Sequence, residues 1–209
     1  MQLNGNKHLL IEAQYWGSIA YFSLLKKHGY ALIEQHEHYV KSSYRNRCHI
    51  ATPNGQLVLS VPLVSGRNQR RTMHQVGIYN QERWQKLHWD SLCYAYRRSP
   101  YFEFYEDDLE PFFKTPYDNL LAYNLTTTRF ILDLLQLEVK LELTTEYIDP
   151  NNENYLDYRS AISPKKGLQK GIKTCSEYHQ VFNDKHGFLP NLSILDLLFN
   201  EGPNAVSFL

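Results

Sequence analysis

The sequence predicts a single α/β domain that begins with a βαβ unit and also contains a β-hairpin within a mixed sheet. Three observations predict this class. Two short apolar runs flank an amphipathic helical stretch in the first 34 residues, an Asn-Gly pair separates two alternating segments near residue 54, and helical periodicity recurs between residues 80 and 136. A chain of 209 residues, 43% of them hydrophobic, can bury one core of ordinary size.

The βαβ unit comes first along the chain. The apolar run 8–13 predicts a buried strand, and Ser18 is the predicted N-cap of a helix over 18–28 that ends at Gly29. Residues 30–34 predict a second strand. Because the two strands are joined through one helix, we expect them to be parallel neighbours in one sheet.

Ligands of parallel α/β sheets bind beyond the carboxyl ends of the strands. In this chain that edge is predicted to hold Gln14 and Tyr15 after the first strand, and His36 and His38 after the second. The basic segment 41–47 follows a few residues later, so we expect it near the same edge.

The Asn-Gly pair predicts a hairpin over 47–63. Its first strand would place Arg45, Arg47 and His49 on one face, because side chains alternate along a strand. The polar stretch 65–72 that follows is predicted to be a mobile basic loop.

Periodicity predicts the later elements, which are helices at about 80–98, 103–113 and 118–136 and a strand over 138–143. His88 lies on the predicted buried face of the first of these helices. Near the end of the chain, Ser193 is the predicted N-cap of a short helix, and Asp196 is placed to complete a capping box. We therefore expect an α/β core over 1–148, a polar and Lys-rich loop region over 149–176, and a C-terminal segment over 177–209 that packs back on the core.

Composition excludes several classes of function. The 22 basic and 22 acidic residues balance, so no overall field favours nucleic acid, and nucleic acid is not an expected partner. No apolar run is long enough for a membrane span. The three cysteines form no Cys-x-x-Cys pair, as is typical of free thiols in a reducing compartment, so we expect a cytoplasmic protein. The sequence leaves the oligomeric state open.

Charge is unevenly distributed along the chain. The stretch 41–81 has no acidic residue and six basic ones, which are Lys41, Arg45, Arg47, Arg67, Arg70 and Arg71. The stretch 101–118 is strongly acidic. Either the two stretches pair with each other, or the basic one binds an anion.

The anion-binding alternative predicts a site for a small phosphate-bearing ligand. Two guanidinium groups beside an ammonium, a phenol and an amide suit capture of a phosphate or carboxylate group. The candidate anion- or substrate-binding residues are Gln14, Tyr15, Lys41, Tyr44, Arg45, Asn46, Arg47, His88 and Tyr101. For His88 the alternative is a hydrogen-bonded core histidine, and for Tyr101 it is a place at a solvated helix end.

His36 and His38 are the candidate catalytic bases. Together with Glu34 they alternate along an extended segment, so a metal site is a further alternative, and a plain surface role is another. The chain has no Gly-rich phosphate loop, no nucleophile elbow and no zinc-binding spacing. We assign no metal and expect no cofactor.

Several blocks in this order resemble the WbqC-like family of bacterial proteins. The blocks are Tyr21-Phe22, His36-Glu37-His38-Tyr39, Tyr44-Arg45-Asn46-Arg47, Leu59-Ser60-Val61-Pro62, Trp84-x-x-x-His88-Trp89, Ser99-Pro100-Tyr101-Phe102 and Pro190-Asn191-Leu192-Ser193. Some members of this family occur in O-antigen gene clusters, and a glycine-transferase role in decorating surface sugars has been suggested for them. The first loop, Ala13-Gln14-Tyr15-Trp16, lacks the prolines that members often carry there.

The resemblance implies a transferase of aminoacyl or acyl type that acts in surface-polysaccharide biosynthesis. Arg45, Arg47 and Lys41 would hold an activated donor, and His36 or His38 would serve as the base. The alternative is a non-catalytic module that binds an anion or nucleic acid through the same basic stretch. A third interpretation is that the basic stretch serves only as a docking surface for the acidic one.

Overall fold

The computed structural model describes residues 7–64, 71–172 and 175–209, which form an α/β arrangement of eight strands and six α-helices. The strands are β1 (His8–Ile11), β2 (Tyr30–Ile33), β3 (Arg47–Thr52), β4 (Gly55–Ser60), β5 (Lys140–Leu143), β6 (Tyr155–Asp157), β7 (Ile162–Ser163) and β8 (Gly167–Leu168). The helices are α1 (Ile19–His28), α2 (Trp84–Tyr96), α3 (Phe102–Lys114), α4 (Leu120–Leu134), α5 (Asn183–His186) and α6 (Ile194–Glu201). The predicted fold class is confirmed.

The central sheet has the strand order β5-β2-β1-β6, and all of its neighbouring strands are parallel. The predicted βαβ unit is therefore present, with β1 beside β2 and α1 between them in the chain. The two later strands occupy the positions on either side of this pair. This sheet is wholly parallel rather than mixed.

Helix α1 follows the predicted sequence signals closely. Gly29 takes a left-handed φ of 64°, and its N–H donates to the Leu25 carbonyl, which ends the helix. Ser18 has the extended conformation of an N-cap, but its hydroxyl makes no capping bond. Instead Ser18 contacts Gln14 through both its N–H and its hydroxyl.

The predicted hairpin forms from β3 and β4, which are antiparallel and pair Cys48 with Leu59 and Ile50 with Leu57. It is a two-stranded sheet of its own and is not part of the parallel sheet. Strands β5 and β6, rather than β3 and β4, take the places beside β2 and β1. The predicted loop 65–72 lies outside the described residues except for its last two positions.

The loop region expected over 149–176 contributes structure to the sheet. Strand β6 lies at the edge of the parallel sheet beside β1, with Leu9 opposite Leu156. Strands β7 and β8 form a short antiparallel pair within the same range. These strands have two or three residues each, so their sequences carry too little alternation to be distinguished from loop. No helix in the described part of the chain is long and apolar enough to cross a bilayer.

Helix α6 is the most buried helix, and its N-terminus is joined to the start of the chain. Ser193 caps the helix, since its hydroxyl accepts from the Leu195 N–H at 3.3 Å. The predicted capping box is wrong, because the Ser193 N–H donates to the His49 carbonyl rather than to Asp196. Asp196 is fully buried, and its carboxylate accepts from the Tyr96 and Tyr178 hydroxyls at 2.6 Å each.

Candidate functional site at the carboxyl edge of the parallel sheet

A row of polar side chains follows the last residues of the parallel strands. Ile11 pairs with Ile33, and Ile33 pairs with Leu143, so the next residues, Glu12, Glu34 and Thr144, lie at one level. Leu10 pairs with Asp157, which places Arg159 at the level of Glu12. The sheet register alone therefore brings two carboxylates, a hydroxyl and a guanidinium to one edge.

Glu12 joins the first loop to the residues after β6. Its two carboxylate oxygens accept from the Gln14 side-chain amide and from the Ser160 backbone N–H, both at 3.0 Å. Glu12 and Gln14 are almost completely buried. Gln14, a predicted ligand contact, therefore orients Glu12 and the start of α1 rather than facing solvent.

Glu34 is fully buried and holds three loops together. It accepts from the His36 N–H at 2.8 Å, from the Thr144 hydroxyl at 2.9 Å and from the Ile148 N–H at 2.9 Å. Arg159 adds an ion pair at 3.3 Å and also binds Asp157. These contacts satisfy the carboxylate and fix the segments that follow β2, β5 and β6.

Glu37 and Arg45 form a buried bidentate ion pair beside this row. Arg45 Nε and Nη2 donate to the two Glu37 oxygens at 2.7 and 2.8 Å, and Nη2 also donates to the Ser160 hydroxyl at 3.3 Å. Arg45 is 0% exposed. Burial raises the pKa of Glu37, and Arg45 offsets this only in part. Burial opposes the charge on Arg45, but Glu12 and Glu37 outweigh it and raise the pKa of the guanidinium.

Several buried polar atoms at this edge have no hydrogen-bond partner among the described residues. Three of them, Arg45 Nη1, Arg47 Nε and His36 Nε2, lie on the single segment 36–47. A fourth is Asn124 Oδ1, whose own amide nitrogen donates to the Arg45 carbonyl at 2.7 Å. Buried polar atoms normally have partners, so the two arginine nitrogens are places where a ligand oxygen would be stabilised. Asn124 Oδ1 can only accept a hydrogen bond, and His36 Nε2 can donate or accept one according to its tautomer.

Asn46 lies next to Arg45 and has a satisfied amide. Its side-chain oxygen accepts from the Tyr39 hydroxyl at 2.8 Å, and its nitrogen donates to the Val61 carbonyl at 2.9 Å. This predicted ligand contact thus connects the loop after β2 to the end of β4.

Tyr15, Tyr44 and His88 belong to a buried aromatic cluster. Tyr15 Oη lies 2.7 Å from His88 Nδ1, and the Tyr15 N–H donates to the Tyr44 carbonyl. Burial lowers the pKa of His88 to about 4, so the ring is neutral at physiological pH. The core-histidine alternative therefore describes His88 better than a ligand contact does.

Of the remaining predicted residues, four lie on segment 36–47 and are more accessible to solvent, whereas Tyr101 lies elsewhere in the chain. His38 and Lys41 are exposed, and His36 and Arg47 are half-buried. Tyr101 precedes α3, where its ring lies against Gly202.

The acidic stretch does not pair with the basic one in the described ranges. Its Glu106 binds Arg97 at 2.9 Å, and its Glu110 binds Lys114 at 2.6 Å. Arg45 pairs with Glu37 instead. Arg67 and Arg70 lie outside the described residues. Among the residues that the structure describes, no group of three or more His, Cys, Asp or Glu side chains is placed to hold a metal ion.

Sequence reasoning missed most of the charged row, and a signal for it was present. The chain reads Leu-Leu-Ile-Glu over 9–12 and Ala-Leu-Ile-Glu over 31–34, so each of the first two strands ends directly before a glutamate. Arg159 and Ser160 had no such signal, because β6 is too short to be recognised.

Comparison with known proteins identifies relatives over most of the chain. The family described as "WbqC-like protein family" matches residues 13–174 and 169–208. A protein of Mycobacterium tuberculosis (strain ATCC 25618 / H37Rv), named "Uncharacterized protein Rv1507c", is 26% identical over 228 residues. That alignment covers 97% of this chain and 97% of the relative. No solved structure matches the chain.

Proposed function

Since the chain belongs to the WbqC-like protein family, we propose that it is a transferase that binds a small phosphate-bearing donor at the carboxyl edge of the parallel sheet. It passes an acyl or aminoacyl group, such as glycyl, to a sugar of a surface polysaccharide. The observation that carries this proposal is the pair of buried guanidinium donors, Arg45 Nη1 and Arg47 Nε, that have no hydrogen-bond partner among the described residues. They lie on the segment that also carries the candidate base His36.

The two arginines contribute differently to anion binding. Glu37 neutralises Arg45 and holds its plane fixed, so Arg45 acts as an oriented hydrogen-bond donor. Arg47 has no ion-pair partner among the described residues and supplies net positive charge, to which the exposed Lys41 adds. A phosphate group bound here would accept an oriented hydrogen bond from Arg45 and would be attracted by the net positive charge of Arg47 and Lys41.

In the transfer step, a hydroxyl or amine of the acceptor sugar attacks the acyl carbonyl carbon of the donor. The bond from that carbon to the phosphate-bearing group breaks, and that group leaves as an anion. His36 or His38 takes the proton that the attacking atom loses. The basic segment stabilises the negative charge that moves to the leaving group.

Binding measurements with a conservative variant test this proposal. Isothermal titration calorimetry with nucleotide sugars and a non-hydrolysable glycyl-adenylate analogue should find at least one ligand. Arg47→Gln should lower the affinity for that ligand about tenfold or more, which is the loss expected for one charge-assisted hydrogen bond. Lys114→Gln is the matched control, because it also removes one cation, from an exposed helical site outside the edge. The proposal is contradicted if no ligand binds, or if every ligand that binds does so equally well to Arg47→Gln and to Lys114→Gln.

The second candidate function is a non-catalytic anion-binding module. One observation favours it: the carboxylates of Glu12 and Glu34 are buried and hydrogen-bonded, so neither of them is free to act as a base. A binding module should bind its anion with an affinity that falls steeply with salt. His36→Gln and His38→Gln should then leave affinity intact, whereas in a transferase one of them should lower the single-turnover rate.

A further inference from the structure

A cavity lies where the end of α2, the β3–β4 turn and the short helix α5 meet. Its volume is about 610 Å³, which is within the range of small-molecule sites. It is lined by Pro53, Cys93, Tyr94, Ala95, Arg97, Arg98, Val181, Phe182 and Lys185. None of these residues belongs to the carboxyl-edge site.

The charge of this cavity is positive. Arg97, Arg98 and Lys185 line it, and no carboxylate does. Glu106 neutralises Arg97 through an ion pair at 2.9 Å. Arg98 and Lys185 form no ion pair with any residue in the described ranges. Two cations are thus available to one ligand in a chain whose formal net charge is zero.

The same cavity carries an aromatic surface. The Tyr94 side chain is 77% exposed, which is unusual for a ring of its size, and Phe182 is half-buried. An adjoining cavity of about 460 Å³ shares Tyr94 and Pro53, so the ring is accessible from both. A planar ligand group can therefore stack on Tyr94 while charged groups reach the cations.

The walls of the cavity are held together by contacts that do not involve a ligand. His186 Nε2 lies 3.1 Å from the Thr52 carbonyl, which joins α5 to the end of β3. Phe182 packs against the His186 ring with centroids 6.3 Å apart. The hydrogen bond fixes α5 against the end of β3, which limits the entropy that binding must offset.

We propose that this cavity binds a nucleoside phosphate, with the base stacked on Tyr94 and the phosphates held by Arg98 and Lys185. Aromatic stacking with flanking cations is the common chemistry of nucleotide recognition. A small ligand is favoured over a polyanion because α3, which supplies Glu106 to Arg97, also exposes Glu103, Asp107 and Asp108. These carboxylates would repel an extended anionic surface.

This site is independent of the proposed transferase function. Arg47 and Thr52 are the first and last residues of β3, so the two sites are separated by the length of that strand, about 17 Å. Failure of one proposal leaves the other intact, because the variants that test them do not overlap.

Titration of the full-length protein with ADP, followed by calorimetry or ligand-detected NMR, tests the proposal. We expect ADP to bind, Arg98→Ala and Lys185→Ala each to weaken it about tenfold, and Tyr94→Ala to weaken it fivefold or more. Adenosine and inorganic pyrophosphate should each bind at least tenfold more weakly than ADP. Adenosine lacks the phosphates that the cations would hold, and pyrophosphate lacks the base that would stack on Tyr94. Arg83→Ala and Phe104→Ala are matched controls, since each removes an exposed cation or ring that does not line the cavity.

The position of binding can be read from Cys93, which lines the cavity and is half-buried, whereas Cys48 and Cys175 are buried. ADP should slow alkylation of Cys93 by a maleimide, and Tyr94→Ala should reduce this protection.

Several outcomes overturn the proposal: no binding of ADP, GDP, CDP or UDP at millimolar concentration, ADP affinity unchanged by Arg98→Ala, or unchanged Cys93 labelling under saturating ADP. Loss of ADP binding in Arg47→Gln with the cavity variants unaffected would assign the nucleotide to the carboxyl edge and likewise overturn it.

Discussion

Replacing Arg45 with Met should destabilise the protein by about 3–4 kcal/mol at pH 7. The magnitude follows from the burial of the ion pair, whose side chains are 0% and 9% exposed. Removing one partner of a buried pair leaves the other charge without compensation, which typically costs about 3–5 kcal/mol. Met replaces much of the apolar part of the Arg45 side chain, so the loss should come from electrostatics rather than from a cavity.

Glu37→Gln should cost less than Arg45→Met, at about 2 kcal/mol. The reason is that Glu12 also interacts favourably with Arg45 and remains in place in this variant. The double variant should cost well under the sum of the two, with a coupling free energy of about 2 kcal/mol or more, because it removes the pair together. Urea unfolding of the four proteins measures this cycle through the midpoint and slope.

The pH dependence of Arg45→Met gives an independent check. Burial already raises the pKa of Glu37, and loss of Arg45 removes the largest effect that opposes burial. A carboxyl group whose folded pKa is above its unfolded pKa stabilises the fold as pH falls, because the folded state binds the proton more tightly. The deficit of Arg45→Met should therefore shrink between pH 7 and pH 5. An additive cycle, or a deficit that does not change with pH, would refute the proposed coupling.

Three further predictions concern other buried features. Tyr178→Phe removes a 2.6 Å hydrogen bond to the buried Asp196 carboxylate, so urea unfolding should show a loss of about 2 kcal/mol, and a loss below 0.5 would contradict this. The folded pKa of His88 is about 4, below its ordinary 6.5, so the unfolded state binds the proton first as the pH falls. The free energy of unfolding should therefore fall by up to about 3 kcal/mol from pH 6.5 to pH 4. His88→Gln should make that decline smaller. Gly202→Ala should lower the free energy of unfolding by about 2–4 kcal/mol, since the added Cβ would come within 2.4 Å of the Tyr101 ring at a φ of 55°, whereas Gly55→Ala, with nothing within 4 Å, should cost less.

Local patterns were sufficient to predict the elements that have a strong sequence period or a defined end. The βαβ unit was predictable because two apolar runs and a helix terminated by Gly29 occur within a short span. The β3–β4 register was predictable from the Asn-Gly turn, which fixes which residues lie opposite each other. Helix α2 shows the limit of this approach, since it begins at Trp84 rather than at Asn80, whose side chain binds the Trp84 indole instead.

The candidate site was predictable in location but not in composition. Ligands bind beyond the carboxyl ends of parallel strands, and this rule predicted a site near segment 36–47. The charged row lies at the carboxyl edge of the parallel sheet. The exposure of each charge was not predictable, because Arg45 and Lys41 have similar sequence surroundings, yet one is fully buried and the other exposed. Burial depends on which loops cover the edge, and these come from distant parts of the chain.

By itself, the sequence determined the fold class, the parallel β1–β2 pair and the hairpin, since each depends on residues close together in the chain. Only the tertiary structure decided that Glu34 contacts Arg159 and that Arg45 contacts Ser160, which are 125 and 115 residues apart. Those contacts exist because β6 pairs with β1 and brings its following residues to the same edge. A buried charge needs a partner wherever the chain can supply one, and sequence distance places no limit on where that partner lies.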